Sequence, residues 1–216
     1  MLRRRRPLLP ARLRSAASRL DREVAERRKR LAPGELLCRN GCFGCCIGLF
    51  ALPLSEALAV RSAWRRLPPR VRADALDRAR RALEKGGSLF PGDPSEGLLD
   101  PERTDPSDGR YFDEVESVPC PLLDLPSGRC LVYAVRPVTC RTFGFGLRDG
   151  ASLVEPACRL NFGDAPPDGE LPAAFDLRDL LEIDQAIAEA ADADGLPAGV
   201  ETTLAHVLAG RAFARL

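Results

Sequence analysis

The sequence predicts a mainly α-helical fold with one small β hairpin, in which an irregular cysteine-rich centre packs on about four helices. Three observations predict it. Apolar residues recur at helical spacing in the segments on either side of the middle of the chain. Residues 86–176 promise little regular structure, and 86–110 are rich in Gly, Pro, Asp and Ser. Eight cysteines, four of them within nine residues, fall on glycine- and proline-bearing stretches. With 216 residues, 45% apolar and 29% charged, the chain has an ordinary globular composition, which excludes wholesale disorder. No run approaches the roughly 18 apolar residues of a membrane-spanning helix, so no transmembrane segment is expected. Leu8-Leu9, the only apolar stretch after the basic start, lies between prolines and is too short for a secretory signal. A cytoplasmic location is the expectation.

Residues 1–31 carry 12 basic and 3 acidic side chains, a net +9 that leaves −8 for the rest of a chain of net charge +1. Two regions are therefore expected, a basic arginine-rich tail over 1–31 and a cysteine-cluster domain over 32–216. Leu13, Ala16, Ala17, Leu20, Val24 and Leu31 recur at spacings that make part of the tail an amphipathic helix, ended by Pro33-Gly34. The tail lacks aromatics for base stacking and includes Asp21, Glu23 and Glu26. Weak polyanion contact is the most it implies.

Ser55 is placed to cap a helix running to about Leu67, with Val60, Ala63, Trp64 and Leu67 on one face. Pro68-Pro69 breaks the chain. A second helix over Pro69–Lys85 buries Val71, Ala75, Leu76, Ala79 and Leu83, and Gly86-Gly87 stops it. Residues 86–110 read as a surface loop and Tyr111–Gly150 as a compact irregular segment. Within it Leu122–Asp124 and Cys130–Tyr133 form the hairpin, with Pro126-Ser127-Gly128 as its turn. Asp164–Pro172 is another loop. Leu177, Leu180, Leu181, Asp184, Ile187, Ala188 and Ala191 follow helical spacing, as do Leu204, Val207, Leu208 and Ala212. His206, opposite Leu204 and Leu208, is expected in solvent, and Trp64 and Tyr133 in the core.

The chemistry lies with the cysteines. With no secretory signal read, they point to metal or catalysis rather than to disulfides. One histidine and one methionine accompany them, so a soft-metal site must be built almost wholly of thiolates. The candidate ligands are Cys38, Cys42, Cys45, Cys46, Cys120, Cys130, Cys140 and Cys158. Glycines at 41 and 44 let the first loop bend and leave amide N–H groups for sulfur. Buried free cysteines acting as small apolar residues are the plainer alternative, which the clustering disfavours. Cys38-x3-Cys42-x2-Cys45 suits the separated irons of an iron–sulfur cluster, whereas eight thiolates would equally satisfy two four-cysteine Zn sites. The balance tilts slightly to iron–sulfur. Cys45 and Cys46 are adjacent and, in an extended chain, would point to opposite sides. Ligands from Cys120, Cys130, Cys140 and Cys158 are therefore expected to be drawn onto the first loop. Arg136 and Arg141 flank Cys140 and could offset the surplus negative charge of a thiolate site, or form salt bridges with Asp113, Glu114 or Glu116. Asp124 and Glu56 are weaker candidates as hard ligands, a solvated role being favoured.

The order Cys-x3-Cys-x2-Cys-Cys, then Cys120-Pro121-Leu122-Leu123, then Gly128-Arg129-Cys130-Leu131-Val132-Tyr133 and Arg136-Pro137-Val138-Thr139-Cys140-Arg141, resembles the YkgJ-like cysteine-cluster family. Its members are described as zinc- or iron-chelating proteins. The resemblance spans roughly Cys38 to Cys158 and implies metal binding, with a redox role if the metal is iron. A zinc-stabilised interaction module without catalysis is the alternative. So is a group-transfer enzyme, since some flagellin lysine methylases have a similar cysteine layout. Radical S-adenosylmethionine enzymes share the first spacing, but their aromatic residue before the third cysteine is Gly44 here, and no alternating βα pattern follows.

Overall fold

The computed structural model describes residues 9–39, 41–103, 105–155, 158, 160–162, 173–193 and 199–215. In chain order its elements are α1 (Leu9–Lys29), β1 (Leu52–Pro53), α2 (Leu54–Trp64), α3 (Pro69–Gly86), β2 (Gly92–Asp93), β3 (Leu98–Leu99), α4 (Asp105–Glu114), β4 (Leu123–Asp124), β5 (Arg129–Cys130), α5 (Val138–Thr142), β6 (Leu147–Asp149), β7 (Ser152–Glu155), β8 (Phe175–Asp176), α6 (Leu177–Ala193), β9 (Glu201–Thr202) and α7 (Leu204–Ala209). The fold is mainly helical, with small sheets. It divides into two compact units: the first joins residues 1–39 to 138–198, the second 40–137 to 199–216.

In the first unit α1 packs on α5 and α6. Leu20 of α1 is fully buried, as are Ile183 and Ile187, four apart on one face of α6. Phe145 and Phe175 meet edge to face at 5.5 Å. Arg27 lies 4.0 Å over the Phe175 ring and donates to the carbonyl of Ala174 at 2.8 Å. Cation–π stacking thus ties the basic helix to the start of β8. Much of the basic charge on α1 is answered locally: Arg27 faces Asp179 at 3.7 Å, Arg19 faces Glu23 at 3.3 Å, and Lys29 faces Glu26 at 2.6 Å. The side chains of Leu13, Ala16 and Ala17 lie outside the described residues. A sheet ordered β7-β6-β8 completes the unit, β6 antiparallel to β7 and parallel to β8. The expected loop over 164–172 lies outside the described residues.

The second unit holds α2 and α3 as expected, with Trp64, Val60, Ala75, Ala79, Val207 and Phe213 in one core. Helix α2 begins one residue before Ser55, which is buried inside the first turn; Pro53, with φ −53°, occupies the cap position without a side-chain bond. Pro69 starts α3, where its missing N–H has no partner to lose. Arg61, 5% exposed, donates to the carbonyls of Val207 and Phe213 and closes the end of α7. The hairpin β4–β5 forms as expected, with Leu123 opposite Cys130. Gly128 makes its turn at φ +66°, donating to Asp124 at 2.8 Å. A Cβ there would meet the carbonyl oxygen of Gly41 at 2.6 Å, so the glycine also admits the first cysteine loop.

Three expectations are corrected. Residues 105–114 are helix α4, not loop; Tyr111 on it is 1% exposed and packs edge-on against Phe90 at 5.4 Å. Burying that apolar stripe outweighs the turn-forming Asp, Ser and Gly. His206 is buried, not solvated. Its ring lies 4.0 Å from that of Phe90 and its Nδ1 is 2.9 Å from the Thr203 hydroxyl. Helix α7 has six residues and is enclosed on more than the face that its apolar spacing marks. Tyr133 is 61% exposed rather than core, because the Arg136 guanidinium stacks on it at 3.8 Å and takes the place of a packed wall. A four-stranded sheet of two-residue strands, ordered β1-β9-β3-β2, joins β9 to the segments before α2 and after α3.

Candidate metal centre

Five of the eight cysteines belong to the second unit: Cys42, Cys45, Cys46, Cys120 and Cys130. None of the eight is in a disulfide. Residues 44–46 form a single 3-10 turn, closed by Cys46 N–H donating to Phe43 at 2.8 Å and Ile47 N–H to Gly44 at 3.3 Å. The turn replaces the extended geometry assumed for Cys45-Cys46, so their thiols meet in a hydrogen bond instead of pointing apart. Backbone pairing then brings in a segment 74 positions away. Ile47 bridges Pro119, and the Cys120 N–H donates to the Cys46 carbonyl at 2.7 Å. The hairpin adds Cys130 across from Leu123.

These thiols feel one another. Hydrogen bonding with Cys46 holds the Cys45 thiol down to about 6 against the opposing effect of burial; its own backbone N–H and the positive charge of Arg136 assist. Burial pushes the Cys130 thiol up, and the charge of Cys45 adds to this while Arg136 and the Val132 N–H oppose it. Cys120 retains some exposed surface, but its thiol is enclosed and burial pushes it up to about 12, with the Arg78 charge opposing. Arg78 comes from α3 and donates to the Pro121 carbonyl at 3.0 Å. Nothing in the sequence marks it, since it stands 42 positions before Cys120. The set therefore offers a Cys45 thiol held down to about 6, with Cys46, Cys120 and Cys130 and the guanidinium groups of Arg78 and Arg136 around it, which suits a soft metal.

The first unit holds Cys38, Cys140 and Cys158. Cys38 lies beside Asn161, whose Nδ2 is 3.2 Å from the sulfur. Asn161 is 4% exposed, and its backbone N–H donates to the Cys158 carbonyl at 2.8 Å. Cys140 lies within α5, next to Arg141. Arg141 is buried and ion-paired with Asp21 of α1, not with Asp113, Glu114 or Glu116. Asn161 escapes sequence reasoning because a lone polar residue three after a cysteine carries no signal until the fold surrounds it.

Of the weaker candidates, Asp124 accepts from the Ser127 hydroxyl and serves the hairpin turn, while Glu56 is buried at the start of α2. Among the described residues, no three His, Cys, Asp or Glu side chains form a closed group able to hold an ion. Cys46 bonds Cys45, Cys45 acts on Cys130 and Cys130 on Cys120, and a metal would have to draw these four sulfurs into a coordination shell. No helix of the described residues is long and apolar enough to cross a membrane. No family model, curated protein or solved structure matches the chain.

Proposed function

We propose that this chain is a cytoplasmic metal-binding protein of the YkgJ-like kind, whose cysteines hold an iron–sulfur cluster or Zn²⁺, with a slight preference for iron–sulfur. One observation carries the proposal. Cys45, Cys46, Cys120 and Cys130, from segments distant in sequence, are gathered by backbone pairing around a thiol held down to about 6. A depressed thiol beside other sulfurs and Arg136 is a soft-metal environment, because the thiolate is the ligand and the guanidinium offsets surplus negative charge. Cys42 shares that unit, and Cys38, Cys140 and Cys158 are candidate donors within the other unit. An iron–sulfur cluster would supply one-electron chemistry, and zinc would supply cross-linking of an irregular fold.

A zinc-stabilised interaction module is favoured by a second observation. Phe43, Ile47, Leu125 and Tyr133 are exposed in the segments that carry the second unit's cysteines. Anaerobic purification followed by metal and sulfide analysis and a visible spectrum separates the two. Iron with sulfide and a broad visible absorption supports the cluster, whereas colourless protein with stoichiometric zinc supports the module. Folded protein with neither metal and eight titratable thiols would defeat the proposal.

A further inference from the structure

The Asn161 carboxamide cannot turn over. Its Oδ1 accepts from the Leu37 N–H at 3.0 Å, and its Nδ2 donates to the Gly144 carbonyl at 2.6 Å. Exchanging the two ends would set donor against donor and acceptor against acceptor in a buried place, which costs about 1–3 kcal/mol per broken partnership. With one Nδ2 hydrogen committed to Gly144, the other is directed at the Cys38 sulfur, 3.2 Å away. Oδ1 lies 3.7 Å from the same sulfur, where a thiol hydrogen can reach it. A neutral thiol therefore donates to Oδ1, and a sulfur without its hydrogen accepts from Nδ2, with no rotation of the amide between the two states.

The surroundings hold this arrangement from three sides. A Cβ at Gly144 would stand 2.8 Å from the Cys38 sulfur and 3.1 Å from Asn161 Nδ2, so only glycine leaves room for the sulfur. The Asn161 N–H bonds the Cys158 carbonyl, and the next residue, Phe162, adopts φ +64° while its N–H bonds the Glu35 carbonyl. A left-handed conformation at a non-glycine aromatic is unfavourable and persists only where the surroundings enforce it. Arg28 of α1 also reaches the Cys38 carbonyl, at 3.3 Å.

We infer that Asn161 is the positioning residue for Cys38, holding its sulfur by an N–H···S bond as a ligand for a soft metal, with Gly144 as the cradle. The inference rests on the metal-binding function proposed above. Amide donors to metal-bound sulfur fix its orientation and its charge, and losing such partners lowers metal affinity about 10–100-fold.

The test follows alkylation of each cysteine in the reduced full-length chain by peptide mapping, with and without Zn²⁺. Wild-type chain should show Cys38, Cys45 and Cys130 each protected about tenfold or more by Zn²⁺. Asn161→Asp keeps the acceptor for Leu37 but removes the donor; protection of Cys38 should fall to near unity while that of Cys45 and Cys130 persists. Gly144→Ala keeps the carboxamide but crowds both the Cys38 sulfur and Asn161 Nδ2, and should give the same selective loss, so the inference stands on either variant that folds by circular dichroism. Undiminished Cys38 protection in these variants overturns it, as does wild-type chain in which Zn²⁺ protects Cys45 and Cys130 but never Cys38. In that last case the metal-binding function survives alone. Protection of no cysteine removes both.

Discussion

The two units hold their cysteines by different means. In the second, sulfur is set against sulfur: Cys45 is held down by Cys46, and Cys130 is pushed up by burial and by Cys45. In the first, Cys38 is held by a neutral amide whose other bonds all go to backbone. The difference teaches what each cysteine depends on. A thiol tuned by other thiols changes when any of them is removed, oxidised or ligated. A thiol placed by an amide locked to the main chain depends on that one side chain.

The sharpest contrast lies inside the second unit. In metal-free reduced chain at pH 7, Cys45 should be mostly thiolate and Cys120 almost wholly thiol, given values of about 6 and about 12. Alkylation of Cys45 should outrun that of Cys120 by about a thousandfold or more. Equal rates would remove the distinction on which the metal proposal leans.

Acid should break the second unit first. Burial holds His206 down to about 4 from an ordinary 6.5, so the folded state disfavours its protonation. Its contribution is complete above about pH 6.5 and is lost as the pH falls toward 4, up to about 3 kcal/mol there. Trp64, the single tryptophan, lies in the second unit, so its fluorescence reports that unit by itself. Urea midpoints followed by Trp64 should fall steeply between pH 6.5 and 4, and a flat profile would contradict a buried neutral His206.

Removing one sulfur separates the two kinds of holding. Cys46→Ala takes away the main cause of the Cys45 depression, and the thiolate fraction of Cys45 at pH 7 should drop about 30-fold. Cys38 reactivity should change less than about twofold. A matching fall at both cysteines would show that the first unit's sulfur is also tuned by thiols.

The smallest effect concerns the first unit's frame. Asp21→Asn leaves the buried Arg141 without its ion pair to α1 and should lower stability by about 1 kcal/mol, read from the thermal melt by circular dichroism. Cys45 alkylation should be unmoved.

Local chemistry determined a large part of this molecule. The helices α2, α3 and α6 carry apolar residues at 3.6-residue spacing, and the Pro69 start of α3 and the φ of the Gly128 turn are matters of backbone torsion; these are properties of neighbours in sequence and are legible there. The cysteine loop was equally legible as a non-regular, glycine-bent segment. What tertiary structure decided are the contacts between distant positions. The Cys120 N–H finds Cys46 only because Ile47 pairs with Pro119, Arg78 reaches Pro121 from another helix, and Asn161 meets Cys38 across 123 positions. The same holds for what becomes buried: His206 and Tyr133 exchange their expected environments because a partner ring encloses one and a stacked guanidinium leaves the other in solvent. Periodicity records which face of an element is apolar. It carries no record of which distant backbone will supply the hydrogen bonds, such as the one that joins Cys120 to Cys46.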